Sequence, residues 1–138
     1  MRILVDNDVV LDFILKRPPF DKGAKEIFLR SARKEIEIFV CSLTPTNSFY
    51  TIRKERDLSI AHSSVTELLK IVQVCGVTRK TLEDACKLGF SDFEDAVQCA
   101  SAMAEGLDSI VTRNTKDFEK SPIPVYSPPK FLGTLQNK

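Results

Sequence analysis

The sequence has few of the residues that build the commonest zinc and nucleophilic sites. It contains one histidine, His62, and four cysteines, none of which belongs to a C-x-x-C pair. We therefore expect neither a zinc site nor a Ser-His or Cys-His catalytic pair. The cysteines are instead typical of small buried hydrophobic residues in a protein of the reducing cytoplasm. They are Cys41, Cys75, Cys86 and Cys99.

The chain also lacks a charge excess, a long apolar run and a phosphate-binding glycine loop. Its formal net charge is +1, so any contact with nucleic acid has to come from local basic clusters. No apolar run approaches the roughly 18 to 20 residues of a membrane span, and the N-terminus has no signal-peptide pattern. Neither a P-loop nor a G-x-G-x-x-G motif is present. With 138 residues, 43% of them hydrophobic, we expect one soluble domain spanning 1–138 and no membrane association.

What the sequence does contain is an alternation of strand and helix patterns. Short apolar or β-branched runs predict strands at 2–5, 36–42, 71–77 and 109–112, with an edge strand at 123–127. Amphipathic spacing predicts helices at 8–17, 23–34, 44–55, 59–70, 78–89 and 91–106. The last five residues, 134–138, are expected to fray. Such an alternation predicts an α/β fold with a central parallel sheet covered by helices on both faces.

The candidate site follows from where the predicted strands end. In parallel α/β sheets, ligands bind beyond the carboxyl ends of the strands. Ten polar residues follow the first, second and fourth predicted strands: Asp6, Asn7, Asp8, Ser42, Thr44, Asn47, Thr112, Arg113, Asn114 and Asp117. Thr44 is also predicted to N-cap its helix, with Pro45 at the first helical position.

The stretch SDFEDAVQCASAMAEG (91–106) adds three carboxylates near the start of a helix. Ser91 and Glu94 match the capping box S-x-x-E, which places Asp92 in the first turn, where the helix dipole favours negative charge. This pattern leaves Asp95 unexplained, because helical spacing puts Asp95 at the edge of the apolar arc and Asp92 within it. The predicted polar face comprises Glu94, Gln98, Ser101 and Glu105.

A carboxylate that faces a protein core has to be paired, protonated or bound to a metal. Small residues of this helix would let it approach the sheet closely and carry Asp95 towards Asp6. Converging carboxylates without paired cations form a hard-oxygen site for Mg²⁺ or Mn²⁺. Such a site activates water and stabilises phosphoryl displacement, so the residues predict a metal-dependent cleft.

Four segments, in this order, carry a family resemblance that spans nearly the whole chain. They are RILVDNDVVLDFILKRPPF, VCSLTPTNSFYTIRK, DFEDAVQCASA and SIVTRNTKDFEKSPIPVYSPPKFL. The set resembles PIN-domain proteins of the VapC-type ribonuclease group, the toxins of bacterial and archaeal toxin–antitoxin pairs. The resemblance implies a three-layer α/β/α sandwich and a Mg²⁺- or Mn²⁺-dependent acidic cleft that cuts RNA. It also implies a small antitoxin protein as partner and a homodimer.

By this resemblance, Asp6 and Asp95 match metal ligands of the family, and Asp117 lies in a segment that brings further acid to the cleft. These three carboxylates would be catalytic as well as metal-binding. Asp92 would be an additional metal ligand on the same side as Asp95.

Two positions depart from the family pattern, and four residues would support the site. Asn47 stands where the family usually has Glu, and Asn114 stands where it often has Asp. Since neither amide carries charge, metal binding should be weaker than in a four-carboxylate site. Asp8 either adds charge to the cleft or caps the first helix, and capping is the stronger prediction. Thr112, after the fourth strand, completes the supporting set.

Two alternatives remain open at the level of sequence. The segment ILVDNDVVLDF also fits D-x-D-x-[TV] after a strand, as in haloacid-dehalogenase-like phosphatases. Asp6 would then be the nucleophile, Asp8 the acid–base and Ser42 the phosphate-binding hydroxyl. The second alternative is an inactive PIN-like module that binds RNA or protein, which the amides at Asn47 and Asn114 would explain.

Overall fold

A computed structural model of the chain describes residues 1–136 and shows a five-stranded sheet. The strands are β1 (Arg2–Val5), β2 (Glu37–Cys41), β3 (Gln73–Cys75), β4 (Ser109–Val111) and β5 (Val125–Tyr126). Their order is β3-β2-β1-β4-β5, and every neighbouring pair is parallel. The predicted parallel sheet is therefore confirmed, with β1 at its centre and β5 at an edge.

Helices cover both faces of this sheet. They are α1 (Asn7–Leu15), α2 (Asp21–Ala32), α3 (Leu43–Glu55), α4 (Leu58–Ile71), α5 (Arg79–Lys87), α6 (Phe93–Ala104) and α7 (Pro128–Gln136), with a 3₁₀ helix at Thr115–Phe118. Ile3 and Val5 of β1 join one core with α1, α2, α4 and α7. Leu4 points to the opposite face and packs in a core with α6, as the alternation of side chains along a strand requires. The predicted three-layer α/β/α sandwich is confirmed.

Two predictions, one at the start of α3 and one at the C-terminal end of the described chain, were wrong. Helix α3 begins at Leu43 and follows Ser42, so Thr44 lies inside the first turn, where its side chain is 1% exposed. Helix α7 was not predicted, and it includes residues 134–136, which were expected to fray. It is held by Phe131, which is fully buried against the core that contains α2. Residues 137 and 138 lie outside the described part of the chain.

No helix within residues 1–136 has the length and apolar character needed to cross a membrane. That residues 1–138 form one domain stays a prediction.

Candidate active site

Asp6 lies at the centre of the site, directly after β1, and it is the N-cap of α1. Its carboxylate accepts three hydrogen bonds and is 6% exposed. Oδ1 accepts from the backbone N–H of Asn7 at 2.6 Å and from Nε2 of Gln98 at 2.8 Å. Oδ2 accepts from the hydroxyl of Thr112 at 2.7 Å. Since a carboxylate has about four acceptor positions, Asp6 is held in one orientation with about one position left for a ligand.

Asp95 lies in the first turn of α6, and four nearby carboxylates contribute to raising its pKa. Burial, followed by the charges of Asp6, Asp92, Asp117 and Glu94, raises the pKa of Asp95 from 3.8 to about 7. The four predicted acids therefore lie close enough to interact. They do not form a closed cage, because no three His, Cys, Asp or Glu side chains in the described part of the chain converge tightly enough to hold a metal. Their roles as metal ligands stay a prediction.

Asp92 is the N-cap of α6, and the predicted capping box at Ser91 and Glu94 is wrong. Its Oδ1 accepts from the backbone N–H of Asp95 at 3.0 Å. An extended backbone at Asp92 places this carboxylate over the open end of the helix. Asp92 therefore precedes the helix and is exposed, whereas helical spacing had placed it within the apolar arc.

Asp117 lies in the 3₁₀ helix after β4, where its N–H donates to the carbonyl of Asn114 at 3.0 Å. It borders a surface pocket of about 360 Å³ between this turn and the segment before α6. Ser91, Lys116 and Lys120 also line that pocket. The acid therefore approaches the start of α6 from the side of β4.

Asp8 does not cap α1, contrary to the stronger prediction, because Asp6 occupies that position. Its Oδ2 accepts from the backbone N–H of Arg113 at 3.1 Å and from Nδ2 of Asn114 at 3.2 Å. Burial, and then the charge of Asp6, raises the pKa of Asp8 to about 7, although Arg113 acts in the opposite direction. Asp8 therefore ties α1 to the segment after β4 and keeps a second carboxyl group beside Asp6.

The middle of the polar face of α6, Gln98 and Ser101, turns towards the protein, whereas Glu94 and Glu105 at its ends are exposed. Nδ2 of Asn47, on α3, donates to Oε1 of Glu94. Gln98 lies one turn further along α6, where it binds Asp6 and is 4% exposed; Ser101 is 1% exposed. Sequence reasoning missed Glu94 and Gln98 as site residues. Their spacing of four residues placed them on one face, but that spacing carries no information about what the face meets.

Arg113 forms an ion pair that the sequence did not predict. Its Nε lies 2.6 Å from Oδ2 of Asp12, and its Nη2 lies 3.2 Å from Oδ1. Asp12 is 1% exposed, and the guanidinium group stacks 4.1 Å from the ring centroid of Phe20. The pair fastens the segment after β4 onto α1, next to the contacts of Asp8.

The donor chemistry of this site fits a divalent cation. The predicted ligands are Asp6, Asp92, Asp95 and Asp117. None of them forms a salt bridge within residues 1–136. Two buried acceptors beside Asp6, Oδ1 of Asp8 and Oε1 of Gln98, have no donor among the described residues. Mg²⁺ commonly takes one or two carboxylates and keeps several waters, so it does not need a closed protein cage.

These raised pKa values predict how the metal-free protein responds to pH. In the folded state Asp8 and Asp95 have a pKa of about 7, against 3.8 ordinarily. Their contribution to stability is therefore fully present below pH 3.8 and lost as the pH rises through about 7. In EDTA we expect the melting temperature to fall by several degrees between about pH 5 and about pH 8, since each kcal/mol corresponds to roughly 4 °C in a chain of this size. Thermal melts at several pH values measure this, and a temperature that rises over that interval would contradict it.

Comparison with known proteins adds family and fold information to this geometry. The family model of the PIN domain matches residues 2–116. No curated protein sequence matches the chain significantly.

Several solved structures have a similar fold at low sequence identity. One is VapBC2 from Rickettsia felis, solved bound to a DNA fragment from their promoter, with a TM-score of 0.72, 18% identity and coverage of 92% of this chain and 98% of that chain. FitAcB from Neisseria gonorrhoeae has a TM-score of 0.73, 16% identity and coverage of 91% and 97%. VapC20 from Mycobacterium tuberculosis, a sarcin-ricin loop cleaving toxin, has a TM-score of 0.62, 16% identity and coverage of 78% and 86%.

Proposed function

We propose that this chain, which belongs to the PIN-domain family, is a Mg²⁺- or Mn²⁺-dependent endoribonuclease and the toxin of a toxin–antitoxin pair. The observation that carries the proposal is the set of carboxylates without cation partners at the carboxyl ends of β1 and β4 and the start of α6. Support for RNA as substrate comes from the similar structure of a sarcin-ricin loop cleaving toxin. Support for an antitoxin partner comes from similar structures of toxin–antitoxin complexes.

In this proposal each acid has a role that its position allows. Asp6 and Asp95 bind the ion directly and Asp117 completes the catalytic set. Asp92 is an additional ligand through its second oxygen, because its first oxygen accepts the N–H of Asp95. A bound divalent ion supplies a water of lowered pKa and positive charge opposite the phosphate.

The supporting residues orient these acids. Thr112 and Gln98 fix the carboxylate of Asp6, since each donates to one of its oxygens. Asn114 donates to Asp8, and it thereby keeps that second carboxyl group beside the cleft. Asn47 acts on the other side of the cleft through Glu94.

The remaining parts of the proposal concern assembly and location. We propose a small antitoxin protein as partner, a homodimer, and a cytoplasmic location, which suits the four free cysteines. The family match leaves the phosphatase hypothesis for Asp6, Asp8 and Ser42 without support.

Cleavage of RNA by the purified chain tests the proposal. We expect single-stranded RNA to be cut with Mg²⁺ or Mn²⁺ and to remain intact in EDTA, because the carboxylates alone supply no positive charge to the phosphate. Gel analysis of an end-labelled RNA measures the rate.

A chain that fails to bind millimolar Mn²⁺ would instead favour the second candidate, an inactive PIN-like module that binds RNA or protein. The amides at Asn47 and Asn114, and the lack of a closed metal cage within residues 1–136, are the observations that favour this candidate.

A further inference from the structure

We propose that Glu94 is a metal-binding carboxylate of this site and that Asn47 positions it. Glu94 on α6 would then replace the carboxylate that α3 lacks at Asn47. This inference rests on the proposed function, because it requires the same divalent ion. Asn47 would thus be a positioning residue, and Glu94 would join Asp6 and Asp95 as a ligand.

Helix α3 brings no carboxylate of its own to the cleft. Its residues Leu43–Glu55 include one acid, Glu55, at the far end of the helix. That acid is engaged elsewhere, because Nη2 of Arg17 lies 2.5 Å from its Oε2. The side chain that α3 does direct towards α6 is the amide of Asn47, which donates to Oε1 of Glu94.

The contact with Asn47 leaves Glu94 able to bind a cation. The amide donates to one carboxylate oxygen, and the other oxygen, Oε2, accepts no hydrogen bond from the described residues. Glu94 also forms no ion pair with a lysine or arginine in the described part of the chain. A neutral amide thus fixes the direction of the carboxylate without neutralising its charge.

An independent observation is that this face of α6 carries a buried acceptor without a donor among the described residues. Gln98 follows Glu94 by one helical turn, so the two side chains lie on the same face. Its Nε2 donates to Asp6, while its Oε1 is buried and has no donor among the residues that the structure describes. In the proposed site, a water bound to the ion would supply the hydrogen bond that this acceptor lacks.

A competing explanation assigns Glu94 only to the stability of α6. A carboxylate in the first turn of a helix interacts favourably with the helix dipole, and Glu94 occupies such a position. That explanation predicts a small loss of stability when Glu94 is replaced and no change in metal affinity. The two explanations therefore differ in a quantity that does not depend on catalysis.

Mn²⁺ binding to the full chain, measured by titration with electron paramagnetic resonance of the free ion, tests the inference without a substrate. We expect Glu94→Gln to weaken Mn²⁺ binding by more than about 100-fold, because loss of an outer partner of a metal ligand already costs about 10- to 100-fold. The matched control is Glu105→Gln, which removes one charge from the other end of the same polar face. Glu105 forms only an exposed ion pair with Arg2 at 3.6 Å, so the control should bind Mn²⁺ like wild type.

A double variant tests whether Mn²⁺ affinity depends on the presence of a carboxylate at this contact or on its location on α6. Asn47→Glu together with Glu94→Gln exchanges the acid and the amide, and it keeps a donor facing an acceptor. We expect this double variant to recover most of the Mn²⁺ affinity lost in Glu94→Gln. Asn47→Ala should lower the affinity less than Glu94→Gln does, because the charge remains and only its orientation is lost.

The possible results separate this inference from the proposed function. If wild type binds no Mn²⁺, the proposed metal-dependent nuclease fails and the inference fails with it. If wild type binds Mn²⁺ and Glu94→Gln binds it equally well, the inference alone is overturned. An equal loss in Glu105→Gln would also overturn it, since the effect would then be one of overall charge. Should Glu94→Gln fail to fold in EDTA melts, Asn47→Ala decides, and unchanged affinity there overturns the role of Asn47.

Discussion

Asp95→Asn is expected to abolish RNA cleavage and, in EDTA at about pH 8, to raise the melting temperature above that of wild type. The side chain is nearly isosteric, and its backbone contact with the cap Asp92 does not involve the carboxylate. Helix α6 should therefore form as before. Loss of an outer partner of a metal ligand costs about 10- to 100-fold in activity, so loss of a direct ligand should cost more than about 100-fold.

The expected gain in stability of Asp95→Asn without metal has the same origin as the raised pKa of Asp95. At about pH 8 the charge of Asp95 is opposed by Asp6, Asp92, Asp117 and Glu94, and an amide removes that repulsion. Addition of Mn²⁺ should then stabilise the variant much less than wild type, because stabilisation by a ligand rises with the logarithm of its concentration relative to its Kd, and the Kd of the variant is higher.

Cleavage assays with Mn²⁺ and melting curves with and without Mn²⁺ measure both effects. The control is Asp84→Asn on α5, which disturbs only an exposed pair with Lys80. Undiminished cleavage by Asp95→Asn would show that the activity belongs to another site or to a contaminant. An equal Mn²⁺ shift in wild type and variant would contradict the acidic cleft.

Arg113→Ala should destabilise the fold strongly, with a loss of about 3–5 kcal/mol in the free energy of unfolding. The reason is that Asp12, which is 1% exposed, would be left as a buried charge without its cation. Stacking of the guanidinium group on Phe20 would be lost as well. Urea denaturation measures the difference.

Arg17→Ala is the matched control for this experiment. Arg17 also forms an ion pair, with Glu55 at 2.5 Å, but both side chains are substantially exposed. Its loss should therefore cost no more than about 1 kcal/mol. Adding Asp12→Asn to Arg113→Ala should restore part of the stability, since no buried charge then remains. If Arg113→Ala destabilises the fold no more than Arg17→Ala does, the buried pair is not important for stability.

The sequence predicted those parts of the structure that depend on local pattern. The apolar run before Asp6 identified the central strand, and the position of Asp6 at its end identified the core of the candidate site. Local patterns failed where two neighbouring residues could each fill the same structural position. Ser91 and Asp92 are both good N-caps, and the extended backbone of Asp92 decides between them.

Contacts between distant segments could not be predicted from spacing. Asn47 meets Glu94 across 47 residues, and Asp6 meets Gln98 across 92 residues. Each depends on how α6 is rotated against the sheet, and that rotation is set by the packing of many side chains. Helix α7 was missed for a related reason: its residues are helical because Phe131 is fully buried in the core.

The central position of β1 has a consequence for the protein while it is being synthesised. β1 pairs with β4 through Ile3 and Ser109, and the hydroxyl that fixes Asp6 comes from Thr112. A nascent chain that has not yet released β4 from the ribosome lacks one neighbour of its central strand and one orienting contact of its central acid. Such long-range pairing is among the last to form in a growing polypeptide. An enzyme proposed to cut RNA would thus gain its complete acidic site only after β4 and Thr112 have been synthesised and have left the ribosome.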